Sequence, residues 1–171
     1  MSSIHKNLSH SVSPIPSIDQ ARVAIITAEW NHEITFSMRD ACSDELSKFG
    51  ILQDDITHIT VPGAFELPSA AKMLLANGKW DAVICIGCVI KGETKHDEYI
   101  SNAVAQGIMN LSIVSGKPII FGVLTPNDIN QALDRAGGQH GNKGVEAAHT
   151  ALKMINLSKE IKNAEKKSIG F

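Results

Sequence analysis

Four short polar segments carry the side chains of this 171-residue chain that could do chemistry. Each follows an apolar run, and together they supply an indole, a phenyl ring, carboxylates, an imidazole, an amine and several free backbone amides. This mixture suits a small, flat, anionic substrate better than a protein partner. The segments are residues 28–31, 62–66, 91–97 and 126–128.

The third segment is the richest in groups that bind anions or carry protons. Thr94 and Asp97 have the spacing of a capping box, which predicts that a helix begins there. Gly92 precedes that helix, and a helix start with unpaired N–H groups favours phosphate. His96 would lie in the first turn, where an imidazole can transfer a proton at neutral pH. The alternative is a well-capped helix with a surface histidine, one of seven in the chain.

Three aromatic side chains near the ends of apolar runs have two interpretations each. Trp30 follows the first run, and its indole could stack on a planar heterocycle. Phe65 and Phe121 could do the same. Taken alone, packing in or beside a loop explains Trp30 better, and the two phenylalanines share this ambiguity.

Cys85 and Cys88 have a C-x-x-C spacing, but they lie inside an apolar run that predicts a strand. Residues three apart on a strand point to opposite faces, so the two thiols cannot share a metal ion or easily form a disulfide. The chain has only three cysteines and therefore no second pair for zinc. We predict buried, reduced thiols, and these favour a cytoplasmic location.

The glycine-rich stretch 137–144 has only a superficial likeness to a phosphate loop. It lacks the Gly-Lys-Ser/Thr ending, and it joins two predicted helices instead of following a strand. The simpler interpretation is a tight turn that needs positive φ. Arg135 and Lys143 flank the stretch. Both could hold a phosphate, or both could be solvated surface charges.

Apolar runs alternate with helical patterns along the chain, in the order β-α-β-α-β-α-β-α-α. Such an alternation predicts a parallel sheet that is covered on both faces. Right-handed crossovers then favour an α/β three-layer sandwich whose four-stranded parallel sheet has a flavodoxin-like order. The carboxyl ends of the strands, where ligands bind in such sheets, precede the four polar segments. Predicted strands cover residues 22–27, 55–61, 82–90 and 118–125, and predicted helices cover 32–49, 66–76, 97–115, 127–135 and 145–161.

Length and composition indicate a single domain at residues 21–161, between an N-terminal arm at 1–20 and a polar C-terminal tail at 162–171. We expect the arm to be mobile or ordered only by a neighbouring subunit. A net charge of −2 offers no basic surface for nucleic acid. No apolar run approaches the roughly 20 residues that cross a bilayer, and no signal peptide is visible.

Five motifs, in order and with matching spacing, resemble those of the lumazine synthase family of riboflavin biosynthesis. The resemblance runs from about Arg22 to Leu157 and leaves both ends of the chain outside it. It implies a single α/β domain with the architecture described above. The motifs are Trp30-Asn31, residues 61–68, residues 87–96 with Tyr99, residues 121–125 and residues 135–144.

The resemblance implies that 5-amino-6-(D-ribitylamino)uracil condenses with 3,4-dihydroxy-2-butanone 4-phosphate to give 6,7-dimethyl-8-ribityllumazine, phosphate and water, without a metal or organic cofactor. It implies that His96 transfers protons. It also implies that Phe121, Arg135 and Lys143 reach the site from an adjacent subunit. The implied binding residues are Trp30, Ala64, Phe65, Glu66, Cys88, Val89, Ile90 and Phe121 for the pyrimidine and the ribityl chain, and Glu93, Thr94, Arg135 and Lys143 for the phosphate.

Three places depart from the family pattern, and one of them, Gln139-His140, is variable and carries little weight. Trp30 stands where many members have phenylalanine, and an indole stacks at least as well. Asp97 follows His96 where an aromatic residue is common. Its charge would favour the protonated imidazole or oppose the binding of a phosphate.

The resemblance also implies assembly. Family members form pentamers, and some stack twelve pentamers into a 60-subunit shell; association with riboflavin synthase is a further expectation. The turn at 136–144 is short, as in the shell-forming members. The proline-containing stretch Pro14-Ile15-Pro16 could extend along a neighbouring subunit and add an edge strand.

Three other functions fit parts of the sequence. A module that only binds a flavin or lumazine would use Trp30 and Phe65 and leave His96 and Arg135 idle. A signalling receiver needs an acidic pair after the first strand and an aspartate after the third, where this chain has only Glu29 and a lysine. A purely structural shell protein leaves the polar segments unexplained.

Overall fold

A four-stranded, all-parallel sheet organises the chain. The computed structural model describes residues 14–169, and the strand order is β2-β1-β3-β4. This order confirms the predicted α/β three-layer sandwich of the flavodoxin-like type. The strands are β1 (Val23–Ala28), β2 (Ile56–Val61), β3 (Ala82–Cys88) and β4 (Ile119–Leu124), and the helices are α1 (His32–Lys48), α2 (Leu67–Asn77), α3 (His96–Ser115), α4 (Ile129–Asp134) and α5 (Lys143–Ile169).

The two central strands are buried at every residue, whereas β2 is only partly buried. β1 and β3 lie in the middle of the sheet with helices over both faces, which is the setting their apolar, β-branched runs predicted. β3 ends at Cys88, short of its predicted end at Ile90. Its chain nevertheless stays beside β4, since the Val89 N–H donates to the Leu124 carbonyl at 2.8 Å.

Alternate residues of each central strand enter two separate hydrophobic cores. Val23 and Ile25 pack with residues of α1 and α5. Ala24 and Ile26 pack with residues of α2 and α3. Two helices therefore cover each face, and all four parallel strands end at the same edge of the sheet.

The three cysteines are reduced and buried, as predicted. Cys88 belongs to the core under α1 and α5, and Cys85 belongs to the core under α2 and α3, so the two thiols point to opposite faces. Burial raises the pKa of Cys88 to about 11 and that of Cys85 to about 12. Both are therefore neutral, packing groups near pH 7.

A two-stranded antiparallel hairpin joins α4 to α5, where the sequence predicted only a tight turn. Its strands are β5 (Ala136–Gly138) and β6 (Gly141–Asn142). The predicted positive φ angles are present, at +122° for Gly137 and +78° for Gly141. Glycine adopts this backbone region without steric cost, so the geometry of the turn explains why glycine occupies these two positions.

The first turn of α5 is docked closely on α1. A Cβ atom at Gly144 would lie 1.8 Å from the carbonyl oxygen of Met38, so only glycine fits there. The Gly144 N–H donates to the Asn142 side-chain oxygen at 2.8 Å, which caps the start of the helix.

The ends of the described chain differ from the sequence-based expectation. Ile18 is 2% exposed in the chain's own core, and its N–H donates to the Phe49 carbonyl at 2.8 Å. This part of the arm is thus ordered without a neighbouring subunit; the prediction for residues 1–13 lies outside the described residues. At the other end α5 continues to Ile169, well past its predicted end at Ile161. No helix within residues 14–169 combines the length and the apolar character needed to span a membrane.

Candidate active site

An open pocket of about 1040 Å³ lies at the carboxyl ends of the strands and is called the strand-end pocket here. It gathers three of the four polar segments that the sequence singled out. One face of α3 closes its side. The lining residues are Trp30, Asn31, Pro62, Gly63, Ala64, Phe65, Glu66, Cys88, Val89, Ile90, His96, Tyr99, Ile100 and Ala103.

The turn after β1 presents Trp30 at the rim of the pocket. The Trp30 N–H donates to the Pro62 carbonyl at 3.2 Å, which ties this turn to the turn after β2. Its side chain is 74% exposed, so the indole is not the packing residue that its position alone suggested. An exposed indole beside a cavity is available to stack on a planar ligand.

The turn after β2 contributes a phenyl ring and a carboxylate. Ala64–Glu66 form one turn of 3₁₀ helix, in which Ala64 is buried and Phe65 is 58% exposed. A Cβ atom at Gly63 would lie 3.1 Å from Glu66 Oε2 and 3.5 Å from Trp30 Cδ1. Glycine therefore allows the carboxylate and the indole to approach the same part of the pocket.

The end of β3 and the stretch after it line another side of the pocket with residues 88–90. The Cys88 side chain lies in the core under α1 and α5, so its thiol does not serve the pocket. The Lys91 N–H donates to the Pro126 carbonyl at 3.0 Å, which holds the end of this stretch against the chain beyond β4. Residues 88–90 thus form one fixed wall of the pocket.

The start of α3 places His96 on the pocket but lacks the predicted capping box. The helix begins at His96, with Lys95 as N-cap residue and no side-chain cap. The Thr94 hydroxyl accepts from the His96 N–H, and the Asp97 carboxylate accepts from the Gly92 N–H, both at 3.4 Å. In a capping box the two side chains would instead bond each other's backbone, so this part of the prediction is wrong.

Glu93 and Thr94 are exposed in the loop before α3, and they are not among the lining residues of the strand-end pocket. A Cβ atom at Gly92 would meet no atom within 4 Å. The loop is thus open on its outer side, with room for an anion from solvent or for a neighbouring chain.

Three lining residues escaped the sequence analysis as site residues: Tyr99, Ile100 and Ala103. They follow His96 at three, four and seven positions, which is the spacing of one helix face. This helical spacing is visible in the sequence, but it identifies site residues only once His96 is known to face a cavity. Asn31 was named in a polar segment and in a motif but was given no role of its own. Its side chain donates to the Cys88 carbonyl at 2.9 Å.

The fourth polar segment, residues 126–128, does not line the strand-end pocket. Its Asp128 side chain caps α4 by accepting from the Gln131 N–H at 2.9 Å. A structural role therefore accounts for the polar character of this segment. The expectation that all four strand ends serve one pocket is wrong at this position.

Phe121 and Lys143 line a different cavity of about 550 Å³, called the edge groove here, beside the outer strand β4 and between α3 and α5. Phe121 is 38% exposed. The Lys143 ammonium pairs with Glu146 Oε2 at 2.9 Å. Arg135 lies at the end of α4 and lines neither cavity.

Within the described residues, no group of three or more His, Cys, Asp or Glu side chains is arranged to hold a metal ion. The polar groups of the strand-end pocket are instead one imidazole, one carboxylate, one side-chain amide, one tyrosine hydroxyl, one indole N–H and backbone amides. Such a set recognises a neutral or anionic organic molecule by hydrogen bonds and by stacking.

The fold and this pocket define a class: a flavodoxin-like α/β protein with a small-molecule site at the carboxyl ends of its strands. Residues 20–159 match the family model of 6,7-dimethyl-8-ribityllumazine synthase. The chain belongs to this family.

Individual relatives agree with the family match. The chain is 50% identical to the 6,7-dimethyl-8-ribityllumazine synthase of Cytophaga hutchinsonii, over 91% of this chain and 98% of that protein. It is 42% identical to the enzyme of the same name from Parabacteroides distasonis, over 92% and 99% of the two chains. For the Campylobacter fetus subsp. fetus protein of that name, identity is 45% over 82% and 90%.

Proposed function

We propose that this chain catalyses the condensation of 5-amino-6-(D-ribitylamino)uracil with 3,4-dihydroxy-2-butanone 4-phosphate to 6,7-dimethyl-8-ribityllumazine, a step of riboflavin biosynthesis. Membership of the family supports this function. The observation that carries it is the strand-end pocket, where an exposed indole, a phenyl ring and His96 surround one cavity of about 1040 Å³. That combination fits a flat heterocycle whose reaction needs proton transfer.

In the proposed complex the pyrimidine stacks on Trp30 and lies against the backbone wall at residues 88–90. Backbone N–H and carbonyl groups of such a wall can read the edge of a uracil ring. The ribityl chain, with its several hydroxyls, extends toward the turn at residues 64–66, where Glu66 supplies acceptor oxygens.

The proposed chemistry is stepwise. The 5-amino group of the pyrimidine attacks the ketone carbonyl, and loss of water gives a Schiff base. Elimination of the phosphate follows, and the ribitylamino nitrogen then closes the second ring with loss of another water. His96 moves protons to and from the reacting atoms, and the pocket holds the two reactants together, which accounts for much of the rate.

The leaving phosphate needs donors and positive charge near the start of α3. Glu93 and Thr94 offer backbone N–H groups in the open loop, and the helix start favours an anion. Asp97 opposes this, because its carboxylate lies 3.4 Å from the Gly92 nitrogen. We infer that Arg135, from a neighbouring subunit, supplies the compensating charge.

We further propose that the active form is a pentamer, with twelve pentamers forming a shell as its larger assembly. Phe121 and Lys143 line the edge groove and not the strand-end pocket. A site that uses both sets of residues must therefore combine two copies of the chain. Light scattering would test this, because a species near the 18.4 kDa of one chain would contradict both assemblies.

Three remaining proposals concern the setting of the enzyme. The catalytic unit is the domain at residues 21–161, it acts in the cytoplasm, and it can associate with riboflavin synthase. The three buried, reduced thiols support the cytoplasmic location.

The decisive experiment mixes the protein with both substrates and records lumazine absorbance and phosphate release together. We expect one phosphate released for each heterocycle formed. His96→Ala should slow both signals by about a hundredfold or more. A protein that binds the pyrimidine but releases no phosphate would be a binding module, and the proposed function would be wrong.

A further inference from the structure

The strand-end pocket lies where the sheet opens between β1 and β3. These two strands are paired only as far as Thr27 and Ile86. Beyond that point β1 stays with β2, since Ala28 is still paired there and the Trp30 N–H donates to the Pro62 carbonyl. The chain after β1 thus moves away from β3, and a crevice opens between them. In such sheets this divergence marks the ligand site.

The Asn31 side chain reaches across this crevice. Its amide nitrogen donates to the Cys88 carbonyl at 2.9 Å, in a partly buried setting. The backbone carbonyl of Asn31 accepts from the N–H groups of Ile34 and Thr35 at 2.9 and 3.0 Å, and these hydrogen bonds begin α1. One residue therefore ties the turn that carries Trp30 both to the first helix and to the end of β3.

The backbone at Asn31 explains which side chains this position tolerates. Its φ of 59° and ψ of 43° lie in the left-handed region. Asparagine, aspartate and glycine adopt this conformation more readily than other residues. Of these three, only asparagine has a side chain that can donate a hydrogen bond at pH 7, because aspartate is then ionised and only accepts.

Both sides of the residue 88–90 wall are held by hydrogen bonds. On the crevice side Asn31 holds the Cys88 carbonyl. On the β4 side the Val89 N–H donates to the Leu124 carbonyl at 2.8 Å. Loss of the first bond would leave the wall attached to β4 alone, free to shift relative to the indole on the opposite side of the crevice.

We propose that Asn31 is a positioning residue: its amide bridges the crevice and sets the separation between the Trp30 turn and the β3 wall at which a flat pyrimidine binds. This inference rests on the proposed function for the identity of the ligand. In this role the Asn31 side chain acts through the positions of Cys88 and Trp30. It does not need to contact the reacting atoms.

Three variants separate this role from a general effect on folding. Asn31→Gly keeps the left-handed backbone and deletes the bridge. Asn31→Asp keeps the backbone and the size of the side chain but replaces the donor by an acceptor. Thr35→Val is the matched control, because the Thr35 hydroxyl donates to the Ala28 carbonyl at 2.7 Å within the same turn and does not cross the crevice.

The main measurement is the dissociation constant for 5-amino-6-(D-ribitylamino)uracil alone, followed by tryptophan fluorescence. Trp30 is exposed and Trp80 is 7% exposed, so a bound, stacked ligand changes mainly the Trp30 signal. The second measurement is the pair of KM values in steady-state turnover, and the third is the melting temperature.

In Asn31→Gly and Asn31→Asp we expect the dissociation constant and KM for the pyrimidine to rise roughly 5- to 30-fold, as for a lost hydrogen bond that orders a binding wall. The KM for the phosphate ester should change by less than about twofold. Thr35→Val should lower the melting temperature and leave both KM values of the folded enzyme unchanged.

Two results would overturn the inference. One is Asn31→Asp binding the pyrimidine as tightly as the unaltered chain, because aspartate cannot form the bridge. The other is Thr35→Val raising the pyrimidine constants as much as Asn31→Gly does, which would make the effect one of turn stability. Failure of the proposed function is distinguishable, because it would appear as absent turnover in the unaltered chain whatever the binding series shows.

Discussion

The strand-end pocket and the edge groove differ in the chemistry of the groups that line them. The first has three exposed aromatic rings, an imidazole and a carboxylate around a cavity of about 1040 Å³. The second is mainly apolar, has about 550 Å³, and carries Phe121 and the paired Lys143. The chain thus places an imidazole, a group that can transfer protons at neutral pH, at one surface, and an aromatic ring with a cation at another.

This difference indicates what a single copy of the chain lacks. The strand-end pocket contains no arginine or lysine among its lining residues, although the proposed reaction releases a phosphate. The edge groove contains a lysine and no histidine. Each surface has what the other is missing, which favours a shared site between two copies over two independent sites.

The largest expected effect comes from restoring a shared site by mixing. At a phosphate-ester concentration well below its KM, His96→Ala and Arg135→Ala should each remove most of the activity when prepared alone. When the two variants are unfolded and refolded together in equal amounts, about one quarter of the sites should combine an intact His96 with an intact Arg135 from a neighbour. Steady-state turnover of the mixed assembly checks this.

The control for mixing is a refolded sample in which one chain carries both substitutions and the other carries neither. Random assembly again gives about one quarter intact sites in a shared geometry but about one half if each chain forms its own site. No recovery at all from the two single variants would show that His96 and Arg135 act within one copy, and the proposal of a site shared between two copies would be wrong.

Much of the fold, and part of the site, could be predicted from the sequence. Apolar strands separated by helical patterns specify a parallel sheet because of burial on both faces, and parallel strands end at one edge. Trp30, Phe65 and His96 were therefore correctly expected to line one cavity. The direction in which Cys85 and Cys88 point followed from the two-residue period of a strand.

Features that depend on contacts between distant segments could not be predicted. The close approach of Gly144 to the Met38 carbonyl involves two helices that are far apart in sequence. The Asn31 bridge to Cys88 is of the same kind. At Thr94 a local rule was available but failed, because the Asp97 carboxylate bonds the Gly92 N–H instead of completing the capping box.

A smaller effect is expected from Arg135 alone. Arg135→Ala should raise KM for the phosphate ester roughly 10- to 100-fold, as for loss of a hydrogen bond between charged groups, with the pyrimidine KM nearly unchanged. Arg135→Lys keeps the charge but loses the two-pronged geometry of the guanidinium, so it should recover only part of the loss. Equal increases in both KM values would argue against a phosphate role.

We expect a still smaller effect when the ion pair between Lys143 and Glu146 is broken. Its ammonium lies 2.9 Å from the Glu146 carboxylate, and both side chains are partly accessible at 34% and 13%. Pairs of this kind contribute up to about 1 kcal/mol. Glu146→Gln should free the cation and lower KM for the phosphate ester by about twofold. An unchanged KM in both Glu146→Gln and Lys143→Met would leave Lys143 as a surface ion pair only.

The smallest effect is expected at Cys88, and it sharpens the contrast between backbone and side chain in the strand-end pocket. Burial raises its pKa to about 11, so only about one thiol in a thousand is ionised at pH 8 and alkylation should be negligible. A raised thiol pKa stabilises the folded chain below the unfolded pKa of about 8.5, and this stabilisation is lost as the pH rises toward 11. Mass spectrometry after iodoacetamide treatment should therefore find no label on Cys42, Cys85 or Cys88 at pH 8, and labels on all three together once alkali unfolds the protein. A single label at Cys88 in the folded enzyme, with loss of activity, would mean that the thiol and not the backbone faces the ligand.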